Sequence, residues 1–167
     1  KNLSTPFGTT IVIDVETTKI DKFSFYGCST VTEITFVKGG ASATAGDSML
    51  GEIEESAFAF CSQLTTLPIP TKLETIGNSA FYGCKALRTF DFTYFTTEEE
   101  GVTVADFDAI ADAVTNIGAN AFTATYDPSA TEETPNVFNI AINALPSEFT
   151  VESFPLRSKL SGIAGRI

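Results

Sequence analysis

Three cysteines, 21 carboxylate side chains and no histidine bound the chemistry open to this chain. Without an imidazole, Ser-His-Asp and Cys-His nucleophile pairs cannot be assembled, and the commonest zinc ligand and near-neutral proton carrier are missing. Cys28, Cys61 and Cys84 stand 33 and 23 residues apart with no Cys-x-x-Cys pair, a spacing that does not make a zinc shell. A disulfide between neighbours stays open for an exported chain, although an odd count leaves one thiol over. The acidic run Glu98-Glu99-Glu100, with Asp106, Asp108 and Asp112 after it, invites calcium, because hard cations take carboxylate oxygens. An EF-hand loop starting at Asp106 requires glycine at its sixth position and glutamate at its twelfth, where Ala111 and Ile117 stand. Paired carboxylates can cleave glycosides without histidine, and Asp91, Glu33 and the acidic run are the candidates, but no pair has a fixed separation. The expectation is therefore a chain that is not an enzyme, with no catalytic residues, no bound metal and no cofactor.

The bulk properties narrow the partners. At 167 residues the chain fits one domain, and its 43% hydrophobic content suffices for a continuous core. A formal charge of −11 argues against a nucleic-acid backbone or an anionic lipid surface, both of which repel an acidic face. No run approaches the roughly 18 consecutive apolar residues of a spanning helix. The chain opens on Lys1 and not on methionine, which leads us to expect that a targeting segment has been removed.

The elements that must position any site follow from an internal repeat. Ile76-Gly77-Asn78-Ser79-Ala80-Phe81-Tyr82-Gly83-Cys84 echoes the segment from Ile20 to Cys28, and a third copy runs through Ile53, Ala57-Phe58 and Cys61. Downstream of each cysteine the same apolar spacing returns: Val31, Ile34 and Phe36; Leu64, Leu67 and Ile69; Leu87, Phe90 and Phe92. Phe58 and Phe81 set a period of 23 residues. The longer gaps, 33 residues from Phe25 to Phe58 and 41 from Phe81 to Phe122, place insertions at about 38–50 and 93–113. The first is rich in glycine and alanine and reads as a loop. A fourth copy, Ile117 to Phe122, carries Thr125 in place of cysteine and Pro128 in place of leucine, the decay expected of a terminal repeat.

A period this short holds one strand and one compact return, the geometry of a leucine-rich-repeat solenoid. The Leu-x-Ile step is the strand, and its alternation turns Leu67 and Ile69 inward and Thr66 and Pro68 outward. Phe25, Phe58, Phe81 and Phe122 should form an interior spine, with Cys28, Cys61 and Cys84 stacked as a buried column of small apolar fillers. The predicted class is α/β: a right-handed solenoid over residues 1–128, with parallel strands on the concave face and short helical or irregular returns. Residues 129–167 are expected to cap it within the same domain, with strand-like alternation at Val137 to Ile142 and Phe149 to Phe154 suggesting a hairpin. In the second insertion, Phe107, Ile110, Ala111 and Val114 follow helical spacing, with Asp106 and Asp108 at the favourable end of the macrodipole.

The run Ala80-Phe81-Tyr82-Gly83-Cys84-Lys85-Ala86-Leu87, with Ile69-Pro70 after the strand, resembles the BspA-like leucine-rich-repeat family over roughly residues 11–125. The resemblance implies a cell-surface or secreted protein of a bacterium or protist, often linked with adhesion to host proteins or other cells. On that reading the function is non-catalytic binding of a protein partner through the concave face and inserted loops. A structural spacer or cap of a larger envelope protein and a glycan-binding module are the alternatives. The outward strand positions Glu33, Thr35, Thr66, Pro68, Thr89 and Asp91 form the candidate face, with Tyr94 beside it. This row of threonine and acid lacks the Trp and Arg anchors of tight protein interfaces. For Tyr94 and Phe95 the favoured expectation is packing beneath the acidic insertion.

Overall fold

A computed structural model describes residues 8–123, 125 and 139–141. In chain order the strands are β1 (Thr10–Asp14), β2 (Lys19–Ile20), β3 (Glu33–Lys38), β4 (Ala41–Ala43), β5 (Glu52–Ile53), β6 (Thr66–Pro68), β7 (Thr75–Ile76), β8 (Thr89–Asp91), β9 (Thr96–Glu99) and β10 (Val102–Ala105). The helix α1 (Phe107–Asp112) and strands β11 (Asn116–Ile117) and β12 (Asn139–Ala141) follow.

These elements wind into a β-solenoid of four coils, each contributing to three faces. The first face carries the Leu-x-Ile strands. β1 runs parallel to β3, and β6, β8 and β12 lie parallel in the order β12-β8-β6. Burial alternates along each strand as the sequence predicts: Ile34, Phe36, Leu67 and Phe90 point inward while their neighbours point out. The second face is a sheet of two-residue strands, order β11-β7-β5-β2, that stacks Ile20, Ile53, Ile76 and Ile117 in register. The repeated isoleucine is thus a strand residue in its own right.

On the third face the returns are turns, the irregular member of the two forms expected. Alternate N–H groups reach across to the next coil, and the Phe25, Phe58 and Phe81 amides donate to the Ala57, Ala80 and Ala121 carbonyls at 2.8 Å. The intervening amides close local turns, as Cys61 N does on the Phe58 carbonyl at 3.1 Å. In the first three coils the backbone donors of this face are therefore spent either on the neighbouring coil or on their own turn, as burial requires. The bend needs a left-handed residue in each coil, taken by Phe23, Ser56, Ser79 and Asn120 at φ of 54–59°. Gly27 and Gly83 (φ 72°) supply a second one in their coils, where the middle coil places Phe60 at φ 63°. A side chain in this region costs about 1–2 kcal/mol relative to glycine.

Inside, the rings of Phe25, Phe58, Phe81 and Phe122 stack with centroids 5.1, 5.2 and 5.5 Å apart. Phe58, Phe81 and Phe122 are fully buried, which contributes roughly 1.5–3 kcal/mol each. Phe25 and Cys28 depart from the expected buried columns and are half-buried, because among the described residues only β1 and β2 precede them and no earlier turn covers their side. Cys61 and Cys84 are buried as free thiols, each donating from Sγ to the Phe carbonyl of the preceding coil, Phe25 O at 3.3 Å and Phe58 O at 3.2 Å. Thr125 continues the column with its Oγ1 donating to the Phe122 carbonyl at 2.7 Å, so a hydroxyl fills the cysteine position in the fourth coil.

The first insertion differs from expectation, while the second holds the expected helix with a hairpin ahead of it. The glycine-rich stretch is a hairpin, not a loop: β4 pairs antiparallel with β3 across Gly39 and Gly40, whose φ of 58° and 85° suit a two-residue turn of the mirror-image type. The hairpin also interrupts the first face. β4 takes the edge of β3 that faces the next coil, while Ile69 N bonds the Asp91 carbonyl of β8, which turns the donorless nitrogen of Pro68 toward β3. Just ahead of the two strands, Thr65 N and the Thr65 hydroxyl both donate to Thr32 O at 3.3 Å, but β3 and β6 belong to different sheets, so the single continuous parallel sheet expected here is two three-stranded sheets.

The second insertion is a hairpin, β9 with β10, followed by α1. Glu100 and Gly101 take positive φ at its tip, and Glu98 accepts from the Thr103 hydroxyl at 2.7 Å across the strands. Asp106 caps α1 by accepting from Ala109 N at 2.9 Å. The helix ends at Asp112, and Val114 lies beyond it with its N–H bonded to the Leu73 carbonyl. In the tail, β12 joins β8 in parallel, so the sheet runs past residue 128; the segment 149–154 expected to pair with it lies outside the described residues.

Candidate binding face

The solenoid brings six of the seven candidate binding residues onto the strand face. Thr66 lies beside Thr89 and Pro68 beside Asp91 in the β6–β8 register, and β1 sets Thr10 against Glu33 and Val12 against Thr35. Parallel coils do this automatically, since equal positions in successive repeats become lateral neighbours about 4.8 Å apart.

The two acids of this face are engaged locally. Asp91 Oδ1 accepts from Thr93 N at 2.9 Å and from the Thr93 hydroxyl at 2.7 Å, the turn that ends the strand. Glu33 Oε1 accepts from the Thr10 hydroxyl at 2.7 Å. Each is thus held by a nearby threonine, and among the described residues no group of three or more His, Cys, Asp or Glu side chains is placed to hold a metal ion. What remains outward is a row of half-buried Thr35, Thr66 and Thr89 hydroxyls with Pro68, a surface of hydrogen-bonding groups over short apolar stems.

Tyr94 sits elsewhere, at the corner where the first face turns into the second. There Lys72, Glu74, Tyr94, Phe95 and Asp112 line a cleft of about 460 Å³. Phe95 is buried and so packs beneath the insertion as expected, while Tyr94 is 40% exposed. The first insertion reaches the same corner: the Thr71 hydroxyl donates to the Gly46 carbonyl at 3.4 Å, and a Cβ on Gly46 would stand 3.2 Å from that of Tyr94. Lys72, Glu74 and Asp112 carry no signal in the repeat pattern. They become neighbours only because both insertions leave the solenoid at one corner.

The fold and this face define a leucine-rich-repeat β-solenoid with a coil spacing near 23 residues. The family described as BspA type leucine rich repeat region matches residues 5–127 in six copies, and the chain belongs to it. Among solved structures, a leucine-rich repeat protein from Bacteroides ovatus is similar at 24% identity with a TM-score of 0.46, over 68% of this chain and 22% of that one. The chain thus spans about a fifth of that protein. No curated protein matches. No helix among the described residues is long and apolar enough to cross a membrane.

Proposed function

We propose that this chain is a non-catalytic protein-binding module of a surface or secreted protein, engaging its partner through the concave strand face and the corner beside it. The observation that carries this reading is the meeting of both insertions at one corner, where they frame an exposed tyrosine next to the threonine row. Insertions on one face of a solenoid are where recognition concentrates. The lining suits a peptide or protein loop: Tyr94 offers ring area and a hydroxyl, Lys72 a cation and Glu74 and Asp112 anions. The threonines beyond add hydroxyls that match the donors and acceptors of an extended backbone.

The test is binding of a panel of purified extracellular-matrix and cell-surface proteins to the immobilised chain. The variants Tyr94→Ala and Thr66→Arg/Thr89→Arg are run beside the wild type. At least one partner is expected to bind and to weaken about tenfold or more in each variant, the effect of losing a central contact. Silence across the panel, or equal binding by all three chains, rejects the proposal.

A further inference from the structure

The turn face carries a feature that neither the core nor the binding face uses. Phe23, Tyr26, Phe60 and Tyr82 form an unbroken chain of ring contacts along the solenoid axis, with centroids 5.8, 5.4 and 5.3 Å apart and successive planes turned by 64–72°. Phe23 is 55% exposed, Tyr26 52% and Phe60 41%. Phe23 and Phe60 hold their rings there from left-handed backbone positions, which disfavour a bulky side chain. Phe60 occupies the position that Gly27 and Gly83 hold in the flanking coils, while Ala59 occupies that of Tyr26 and Tyr82. The middle coil therefore keeps the aromatic row continuous by moving its ring one residue along the chain.

From this row we infer a second binding site, for a linear uncharged glycan lying along the solenoid axis. The area decides against a protein or a second copy of the chain. Phe23, Tyr26 and Phe60, about half exposed, and the less exposed Tyr82 together offer a few hundred Å² of apolar surface, whereas a standard protein interface needs about 800 Å² from each partner. A strip one ring wide matches a narrow polymer whose C–H faces stack on aromatic rings and whose hydroxyls meet the Tyr26 and Tyr82 phenols. The charges agree. In a chain of net −11, the basic groups at the Phe23 end of the row are paired with acids, Lys22 with Glu55 at 3.3 Å and Lys19 with Glu54 and Asp21 at 3.2 and 3.4 Å. That end of the row is bordered by paired charges, three acids to two lysines, suited neither to nucleic acid, which needs a basic track beside its stacking rings, nor to an anionic lipid surface.

Native gel electrophoresis of the full chain through gels containing laminarin, mannan or hydroxyethyl cellulose tests the inference. The wild type is expected to be retarded by at least one of these neutral polysaccharides. Tyr26→Ala and Phe60→Gly should each weaken that retardation roughly tenfold. Phe60→Gly restores the glycine of the neighbouring coils, so the turn it sits in is retained, and a melting curve on each variant confirms folding. The concave variant Thr66→Arg/Thr89→Arg should be retarded like the wild type, which separates this site from the protein-binding face. No retardation by any neutral polysaccharide overturns the inference, as does retardation that survives Phe60→Gly. Loss of a protein partner in Phe60→Gly with no glycan binding reassigns the row to protein recognition.

Discussion

The ring of Phe60 lies directly over Gly83 of the next coil, where a Cβ would come within 2.8 Å of Cδ1. Two departures from the repeat, an aromatic where glycine is usual and a glycine kept beneath it, are therefore one packing arrangement. Gly83→Ala meets both a positive φ of 72° and the ring edge, and should cost about 1–3 kcal/mol. In a double-mutant cycle on urea unfolding, Phe60→Gly should recover the part due to contact and leave the part due to backbone strain. Additive effects of the two substitutions show that the rings and the glycine are independent.

Among the glycines of the described residues the tightest fit is at Gly118, where a Cβ would stand 2.4 Å from Asn78 N and 2.5 Å from the Gly77 carbonyl carbon of the preceding coil. These are backbone atoms that cannot swing away. Gly118→Ala should push the fourth coil off the third at a cost of about 1–3 kcal/mol, breaking the bond from Ala119 N to Asn78 Oδ1. Limited proteolysis should then cut near residues 115–120 at a protease level that leaves the wild type whole.

Phe81 is sandwiched between Phe58 and Phe122 at 5.2 and 5.5 Å and is fully buried. Phe81→Ala opens a cavity that neither neighbour can close without leaving its own coil, so a loss of about 3–5 kcal/mol is expected. The matched change Phe25→Ala, at the half-buried end of the stack, should cost clearly less. Chemical denaturation of the two variants checks the ranking.

Burial pushes the Cys61 thiol up to about 12 from an ordinary value of 9.0, and pushes Cys84 up as well, with the charge of the neighbouring thiol adding in each case. The folded chain therefore holds protons that the unfolded chain releases. Their contribution to stability is complete below pH 9 and is lost as pH rises from there toward the folded values, by up to about 1.4 kcal/mol per pH unit for each thiol. The melting temperature between pH 8 and 11 should fall more steeply for the wild type than for Cys61→Ala/Cys84→Ala. Parallel slopes contradict the assignment.

Asp106 caps α1 through Ala109 N, and the helix forms one wall of the corner cleft. Asp106→Ala should cost about 0.5–2 kcal/mol. Because α1 belongs to an insertion, the loss should appear as faster amide exchange at residues 109–113 while the exchange of Phe58 and Phe81 stays slow.

Ring spacing and alternation made the coil count, the interior Phe and Cys columns and the outward row of Thr66, Pro68, Thr89 and Asp91 legible in the residues themselves. Each depends on short-range periodicity, and a repeat that stacks on its own copies converts sequence position into spatial position. The helix at Phe107, with Asp106 and Asp108 at its start, is legible for the same reason, since helical period and the macrodipole's preference for acids are local. The first hairpin escapes the periodicity because Gly39-Gly40 reads locally as a breaker, although two adjacent glycines are also the residues that a tight hairpin turn requires.

Other features belong to no single repeat. The break between β3 and β6 arises because the hairpin edge and the Pro68 nitrogen meet across a gap of some thirty residues. The corner cleft exists because two insertions in different coils fold toward one edge. The aromatic row is continuous because Phe60 and Tyr82 approach from different repeat positions. Periodicity decided which residues face in and which face out; only the stacking of the coils decided which insertions and which off-pattern rings became neighbours, because such contacts depend on the distance between coils and not on the order along them.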